Sequence, residues 1–275
     1  MVPDKYKAMY DPAALTIPPN VPPECEAQAR RDLRDYYAHI SALDDCVGEL
    51  RAALDRMSLT GDTIFVLTSD HGDSLWSQCT LETGNINKQR PYEESINVPF
   101  LLYQQGKRPF MTDILLAAQD ILPTLCGLCE VDCPDTVEGV DLTKTLSGEE
   151  SEPHEGVLIA SYVPFANYAP CVGGHAYRSV RTRWFMYAET HEGPWLFYNL
   201  IEDPQQLNNL LPELIDFPVR KELRRLMYKL MAEQGDTFET HEELSARYGF
   251  HSLTPYNEIP YEKGDEWYAR QKELL

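Results

Sequence analysis

Asp70 and His71 stand side by side in Thr63-Ile-Phe-Val-Leu-Thr-Ser-Asp-His-Gly-Asp73, at the end of a run that favours a strand. In an open parallel sheet, ligands sit just beyond the carboxyl ends of the strands, so a carboxylate and an imidazole there are placed to hold a metal. Asp70 suits a hard cation and His71 suits several metals, which leaves the ion open. A divalent cation would polarise a sulfuryl or phosphoryl oxygen and hold a nucleophile in place. Lys88 follows in Asn87-Lys-Gln-Arg-Pro-Tyr-Glu-Glu94, on a loop that leads back into an apolar run. There it could offset charge building on a transferring group. The three residues read as part of a metal-dependent hydrolase of anionic esters. Plainer readings stand beside this one. Asp-His-Gly could simply end a strand, Asp73 could cap a following helix, and Lys88 could be a solvated surface charge. Arg90 could be a second cation at the site, but a salt bridge to Glu93 or Glu94 is the favoured reading.

The elements that must position these residues are legible from pattern. Leu33, Tyr36, Ile40, Leu43, Val47, Leu50, Leu54 and Met57 alternate three- and four-residue steps and predict one amphipathic helix. A coiled coil fits the stripe, but a helix covering one face of a sheet explains it more simply, because the strand Thr63–Ser69 follows. Val98–Tyr103 reads as a second buried strand, and Asp113–Cys126 as a helix interrupted or ended near Pro123. The proline-rich residues 1–25 should be extended. After a polar connection at 147–156, Val157–Tyr162, Tyr177–Tyr187 and Trp195–Leu200 read as antiparallel strands, and Pro212–Glu233 as a final amphipathic helix. The expected division is 1–150 for the α/β part and 151–275 for a smaller α+β part with its tail. The last forty residues carry no assigned role.

Composition narrows the partners. The 275 residues can bury a substantial core, and 43% hydrophobic with 25% charged content is ordinary for a globular protein. A formal net charge of -20 argues against nucleic acid, while leaving room for a local basic site for a small anion. No run approaches the ~20 apolar residues of a membrane span, and the first residues lack the apolar core of a signal peptide, so the chain as written is expected to be cytoplasmic. Seven cysteines is an odd count. Cys126, Cys129 and Cys133 have no nearby fourth ligand and are expected to be reduced core thiols on a helical face rather than a zinc site.

Several motifs occur together in order: Tyr36-Tyr-Ala-His-Ile-Ser-Ala-Leu-Asp-Asp45, Thr68-Ser-Asp-His-Gly-Asp73, Lys88 with Tyr92-Glu-Glu-Ser-Ile-Asn-Val-Pro99, Asp120-Ile-Leu-Pro-Thr-Leu125, Tyr177-Arg-Ser-Val-Arg-Thr182 and Leu196–Leu210. In this set the chain resembles the sulfatase family of the alkaline phosphatase-like superfamily, over roughly residues 1 to 235. The resemblance implies an α/β fold: an alkaline phosphatase-like sheet flanked by helices, N-terminally truncated, with a smaller C-terminal antiparallel sheet and helix. It implies that Asp70 and His71 are the second pair of metal ligands, usually to calcium, with Mg2+, Mn2+ or Zn2+ as other candidates. Lys88 resembles the lysine that contacts the substrate sulfate, and His175 and Arg178 lie where the C-terminal part approaches the active site. The implied substrate is a sulfated small molecule or sugar. In the family the nucleophile is a formylglycine made within Cys/Ser-x-Pro-x-Arg, upstream of the segments seen here, and a first pair of metal-binding aspartates lies near the N-terminus. Neither is present. Cys133-Pro134 and Ser151-Glu-Pro-His-Glu155 are not substitutes, so the expectation is a sulfatase lacking its nucleophile-bearing N-terminal half and inactive alone. A phosphodiesterase or phosphonate hydrolase of the same superfamily, and a non-catalytic subunit of an oligomer, are the other readings.

Overall fold

The computed structural model describes residues 2–249 except 87, 150, 151 and 215, so Asn87, Ser151 and residues 250–275 of the tail named above lie outside the described residues. The elements run α1 (Asp4–Lys7), α2 (Glu26–Arg56), β1 (Ile64–Thr68), α3 (Glu93–Ile96), β2 (Phe100–Gln104), α4 (Ile121–Leu128), α5 (Thr143–Ser147), β3 (Val157–Ser161), β4 (Tyr177–Arg181), β5 (Phe185–Thr190), β6 (Gly193–Asn199), α6 (Leu211–Leu214), α7 (Pro218–Glu233) and α8 (His241–Arg247). Among the described residues, no helix is long and apolar enough to cross a membrane.

Strands β3 to β6 form a four-stranded antiparallel meander in sequence order, as their close succession in the sequence requires. The span Tyr177–Tyr187 divides into two strands because the turn at Thr182–Trp184 lies inside it; Thr182 Oγ1 accepts from Phe185 N at 3.0 Å and fixes the reversal. Period-two alternation then sorts the side chains onto two faces. Val180, Tyr187 and Phe197 point at Leu223, Leu226, Met227 and Met231 of α7. Met186, Ala188, Leu196 and Tyr198 point the other way, where Tyr92 packs on them. Tyr177 joins that second face to Cys79 and Ile86. The meander thus carries a helix on one side and the Lys88 loop on the other. Helix α7 begins at Pro218, not Pro212: Pro218 takes the first helical position, where no N–H is needed, and holds Phe217 in extended backbone.

The first half is built differently. β1 and β2 pair antiparallel, Ile64 opposite Gln104 and Thr68 opposite Phe100, so the parallel arrangement expected of them does not hold between these two strands. None of their ten residues is fully buried. Helix α2 forms over the predicted stripe, but only Ala29, Leu33 and Ala38 are buried; Ile40, Leu43 and Leu50 remain at least half exposed. The expected sheet face beneath the stripe is not supplied by β1 and β2. Residues 1–25 are not uniformly extended either, since α1 and two short 3-10 turns at Pro12–Ala14 and Pro23–Cys25 interrupt them, the prolines taking first-turn positions.

The helix expected at Asp113–Cys126 starts only at Ile121, after a 3-10 turn, and runs to Leu128 with Pro123 in its first turn. There the proline costs no hydrogen bond and does not break the helix. Glu130 then adopts φ 54° and reverses the chain. Cys126, Cys129 and Cys133 therefore do not share a helical face in the core. All seven cysteines are free, Cys129 is exposed and the other two are half-buried, and partial burial together with a hydrogen bond to Cys126 pushes the Cys133 thiol up. Among the described residues, no group of three or more His, Cys, Asp or Glu could hold a metal ion.

Candidate active site at the end of strand β1

β1 ends at Thr68, and the chain turns sharply through Ser69–Asp73. Ser69 Oγ donates to His71 O at 2.7 Å, and His71 N donates to Asp70 Oδ1 at 3.0 Å. Gly72 is demanded by close approach. Its N–H bonds Ser95 O at 2.9 Å, and a Cβ at this position would stand 1.9 Å from Glu94 O. The short helix α3 thereby buttresses the Asp-His turn through the backbone of Glu94 and Ser95. Asp73 caps no helix; its Oδ1 accepts from Leu75 N at 2.9 Å in a local turn.

Imidazole orientation follows from one bond. His71 Nδ1 lies 2.7 Å from Gly72 O. A carbonyl can only accept, so Nδ1 carries the proton and Nε2 presents its lone pair. That lone pair faces Asp70 Oδ2 at 3.3 Å and Lys88 Nζ at 2.9 Å. The three residues singled out at the start, 18 positions apart in sequence, meet at one point. The Asp70 side chain is 83% exposed and that of His71 37%, so the cluster opens to solvent. The His71 N–H, above all, holds the Asp70 carboxyl below the usual carboxylate range. Two donors meeting a common cation at about 2.0–2.6 Å at right angles stand roughly 2.8–3.7 Å apart. The 3.3 Å between Asp70 Oδ2 and His71 Nε2 fits that, and the neighbouring carbonyl is the customary second partner of a metal-ligating imidazole. One oxygen and one nitrogen are nevertheless a third or less of the six to eight ligands a calcium ion takes.

Lys88 is delivered by a heavily bonded loop. Ser74 Oγ donates to Ile86 O at 2.6 Å, and Trp76 N donates to Asn85 Oδ1 at 3.0 Å. Arg90 is buried and donates to Gln78 O at 2.6 Å and Ser77 O at 3.1 Å. It does not pair with Glu93 or Glu94, as its spacing had implied. Glu93 instead bonds Arg181 at 3.0 Å, and Glu94 accepts from Asn20. A guanidinium that satisfies carbonyls on one side of the loop fixes the backbone more firmly than a surface ion pair would. Gln89, next to Lys88, sits at φ 73°, and its amide bonds both backbone groups of Phe165 at 3.0 and 3.1 Å. This contact, like the buried Arg90, is invisible to sequence spacing because its partner lies 76 residues away.

His175 and Arg178 each have partners of their own. The exposed His175 ring stacks edge-on against Trp195, 6.1 Å between centroids. Arg178 is fully buried, donates to Asp236 through Nε and Nη2, and lies over the Tyr162 and Phe238 rings at 4.1 and 5.0 Å. It is a clamp between β4 and the segment after α7.

Known proteins resemble this chain over most of its length. Residues 11–131 match the Sulfatase family model, and residues 82–233 match the model for N-sulphoglucosamine sulphohydrolase, C-terminal. An ulvan-active sulfatase from Formosa agariphila is 36% identical over 251 residues, which cover 90% of this chain and 48% of that protein. An endo-4-O-sulfatase from Bacteroides thetaiotaomicron is 29% identical over 256 residues, 85% of this chain and 47% of its own length. A solved structure from the same bacterium, from work on its metabolism of multiple glycosaminoglycans, superposes with a TM-score of 0.72 at 29% identity, covering 89% of this chain and 52% of that one. The chain spans about half the length of the relatives it matches. Its fold is that part of the alkaline phosphatase-like architecture, and the chain belongs to the sulfatase family.

Proposed function

We propose that this chain is the portion of a sulfuric ester hydrolase that supplies half of a divalent-metal site and the substrate lysine. The observation that carries the reading is the meeting of Asp70, His71 and Lys88 at the carboxyl end of β1. The names of the relatives support a sulfated saccharide as substrate, and calcium is the ion we favour for the hard, carboxylate-led donor set. When bound, the metal supplies a fixed positive charge that polarises a sulfuryl oxygen. Asp70 and His71 Nε2 would hold it, with Lys88 Nζ, which lies 2.9 Å from Nε2 here, turned to the substrate instead, and Gly72 O keeps the imidazole in the tautomer that leaves Nε2 free to ligate. Lys88 donates to the sulfate group at its ester oxygen and offsets the negative charge that develops on that oxygen as its bond to sulfur breaks. The attacking group belongs to the portion of the family fold that this chain does not contain, so the isolated chain is inactive.

The test is turnover of 4-nitrophenyl sulfate with calcium. The purified chain should give none above the metal-only blank. Joined to a nucleophile-bearing sulfatase portion, it should turn over, and the Lys88→Ala variant should lose about 10²–10³ in kcat. Turnover by the isolated chain, or a rejoined enzyme indifferent to Lys88, would sink the reading.

A further inference from the structure

Three cysteines gather at the C-terminal end of α4. Cys126 lies in its last turn, Cys129 takes the position after its last residue, and Cys133 follows in the return loop. The backbone, not the helical pitch, brings the first and the last together. Cys129 N bonds Leu125 O and Val131 N bonds Cys126 O, both at 3.0 Å, so the chain folds back over the last turn through the left-handed Glu130. The half-buried thiols of Cys126 and Cys133 are thereby hydrogen-bonded to each other, while Cys129 is exposed.

Past Cys133 the chain makes an excursion and is stitched back along α4. Val140 N donates to Asp120 Oδ1 at 2.9 Å, and Leu142 N donates to Thr124 Oγ1 at 3.0 Å. Gly139 passes so close to the start of the helix that a Cβ there would stand 1.9 Å from Gln119 O. Residues 130–132 and 134–136 are exposed, and the Cys126–Cys133 pair fastens the near end of this excursion. Its chemistry follows from its position. A reactive cysteine pair sits at a helix N-terminus, where the dipole stabilises thiolate. This pair sits at the opposite end. Burial, the bond to Cys126 and the Asp141 carboxylate push the Cys133 thiol up, and Asp141 stands at the same turn, since a Cβ on Gly127 would lie 2.3 Å from its Oδ2. A disulfide carries no charge to be disfavoured there, and a thiol of raised pKa leaves it slowly. Such a bond is a staple, not a redox catalyst.

We propose that Cys126 and Cys133 are a redox-sensitive pair that oxidises to an intrachain disulfide and staples the excursion at 130–139 to the end of α4. The oxidant is a low-molecular-weight disulfide such as glutathione disulfide. The thiolate of one cysteine attacks a sulfur of that disulfide and releases one glutathione. The second cysteine, deprotonated, attacks the protein sulfur of the mixed disulfide and releases the other. The two protein thiols lose two protons and two electrons, and glutathione disulfide takes up both to give two thiols.

The test maps thiols on the whole 275-residue chain. The chain is held with glutathione disulfide, quenched in acid, alkylated, and digested without reduction by a glutamate-specific protease. That protease cuts after Glu130, so a Cys126–Cys133 bond joins two peptides into one species, two hydrogens lighter than their sum. Cys129→Ser should leave the linked species intact, and Cys126→Ser should abolish it. Oxidation should raise the melting temperature of the parent by about 5 °C, reversibly with dithiothreitol, and leave that of Cys133→Ser unchanged. The mapping of the parent needs no variant to fold. The proposal falls if both thiols are alkylated after oxidation, if the link involves Cys129, if it joins two copies of the chain, or if the linked chain melts no higher than the reduced one.

Discussion

At the scale of single residues, the Asp-His-Gly turn works because each member has a separate physical duty. Gly72 lets the backbone approach α3, His71 is locked in one tautomer by its neighbour's carbonyl, and Asp70 stays ionised beside a backbone N–H. Gly72→Ala should therefore destabilise the chain by about 1–3 kcal/mol, the usual cost of forced overpacking, because the obstacle is a backbone oxygen that cannot rotate away. Urea denaturation measures it, and an unchanged midpoint would mean that the Glu94 carbonyl moves freely. The motif was legible in the sequence because all of these contacts except the one to α3 are local. Arg90 was misread for the opposite reason. Its acidic neighbours are four residues or fewer away in sequence, but the loop fold turns its guanidinium toward the carbonyls of Ser77 and Gln78.

At the scale of elements, the meander and α7 are held by more than apolar contact. Burial works against the Asp236 carboxylate, but the Arg178 guanidinium and the Phe238 N–H outweigh it and hold the group below the usual carboxylate range. The folded value is thus below the unfolded one, so this contribution to stability is full above the unfolded value near 3.9 and is lost as pH falls through the folded value. Asp236→Asn leaves a fully buried guanidinium without its counter-charge and should cost about 3–5 kcal/mol at pH 7. As pH falls below the unfolded value and through the folded one, the gap between variant and parent should narrow. Urea melts at pH 7 and in that acid range measure the two differences, and a gap independent of pH would argue that Asp236 acts by packing alone.

On the scale of the molecule, order is unequally distributed. β4 and β5 are buried along nearly their whole length, between α7 and the Lys88 loop, whereas β1 and β2 have no fully buried residue. Amide hydrogen exchange should follow that division: the β1–β2 ladder in the isolated chain should exchange faster than β5 by about two orders of magnitude or more, since local opening there breaks little apolar packing. Equal protection of both sheets in the isolated chain would contradict the open face of the first one.

The sequence by itself determined what local pattern can encode: the α2 stripe, the strand into Asp70, the antiparallel succession of β3–β6, and the resemblance carried by ordered motifs. Periodicity reports which face of an element is apolar, and the backbone bonds of turns and hairpins are made within a few residues. What covers each face was decided only in three dimensions. The α2 stripe reads equally well whether a sheet lies on it or not, and here it stays largely open; the cysteines at 126, 129 and 133 lose their common face once Glu130 reverses the chain. Likewise Lys88 reaches His71 only because Arg90, Gln89 and the second face of the meander fix its loop through partners up to about a hundred residues away. Side-chain periodicity is a property of one segment, while burial and encounter are properties of two, and no spacing along one segment specifies the other.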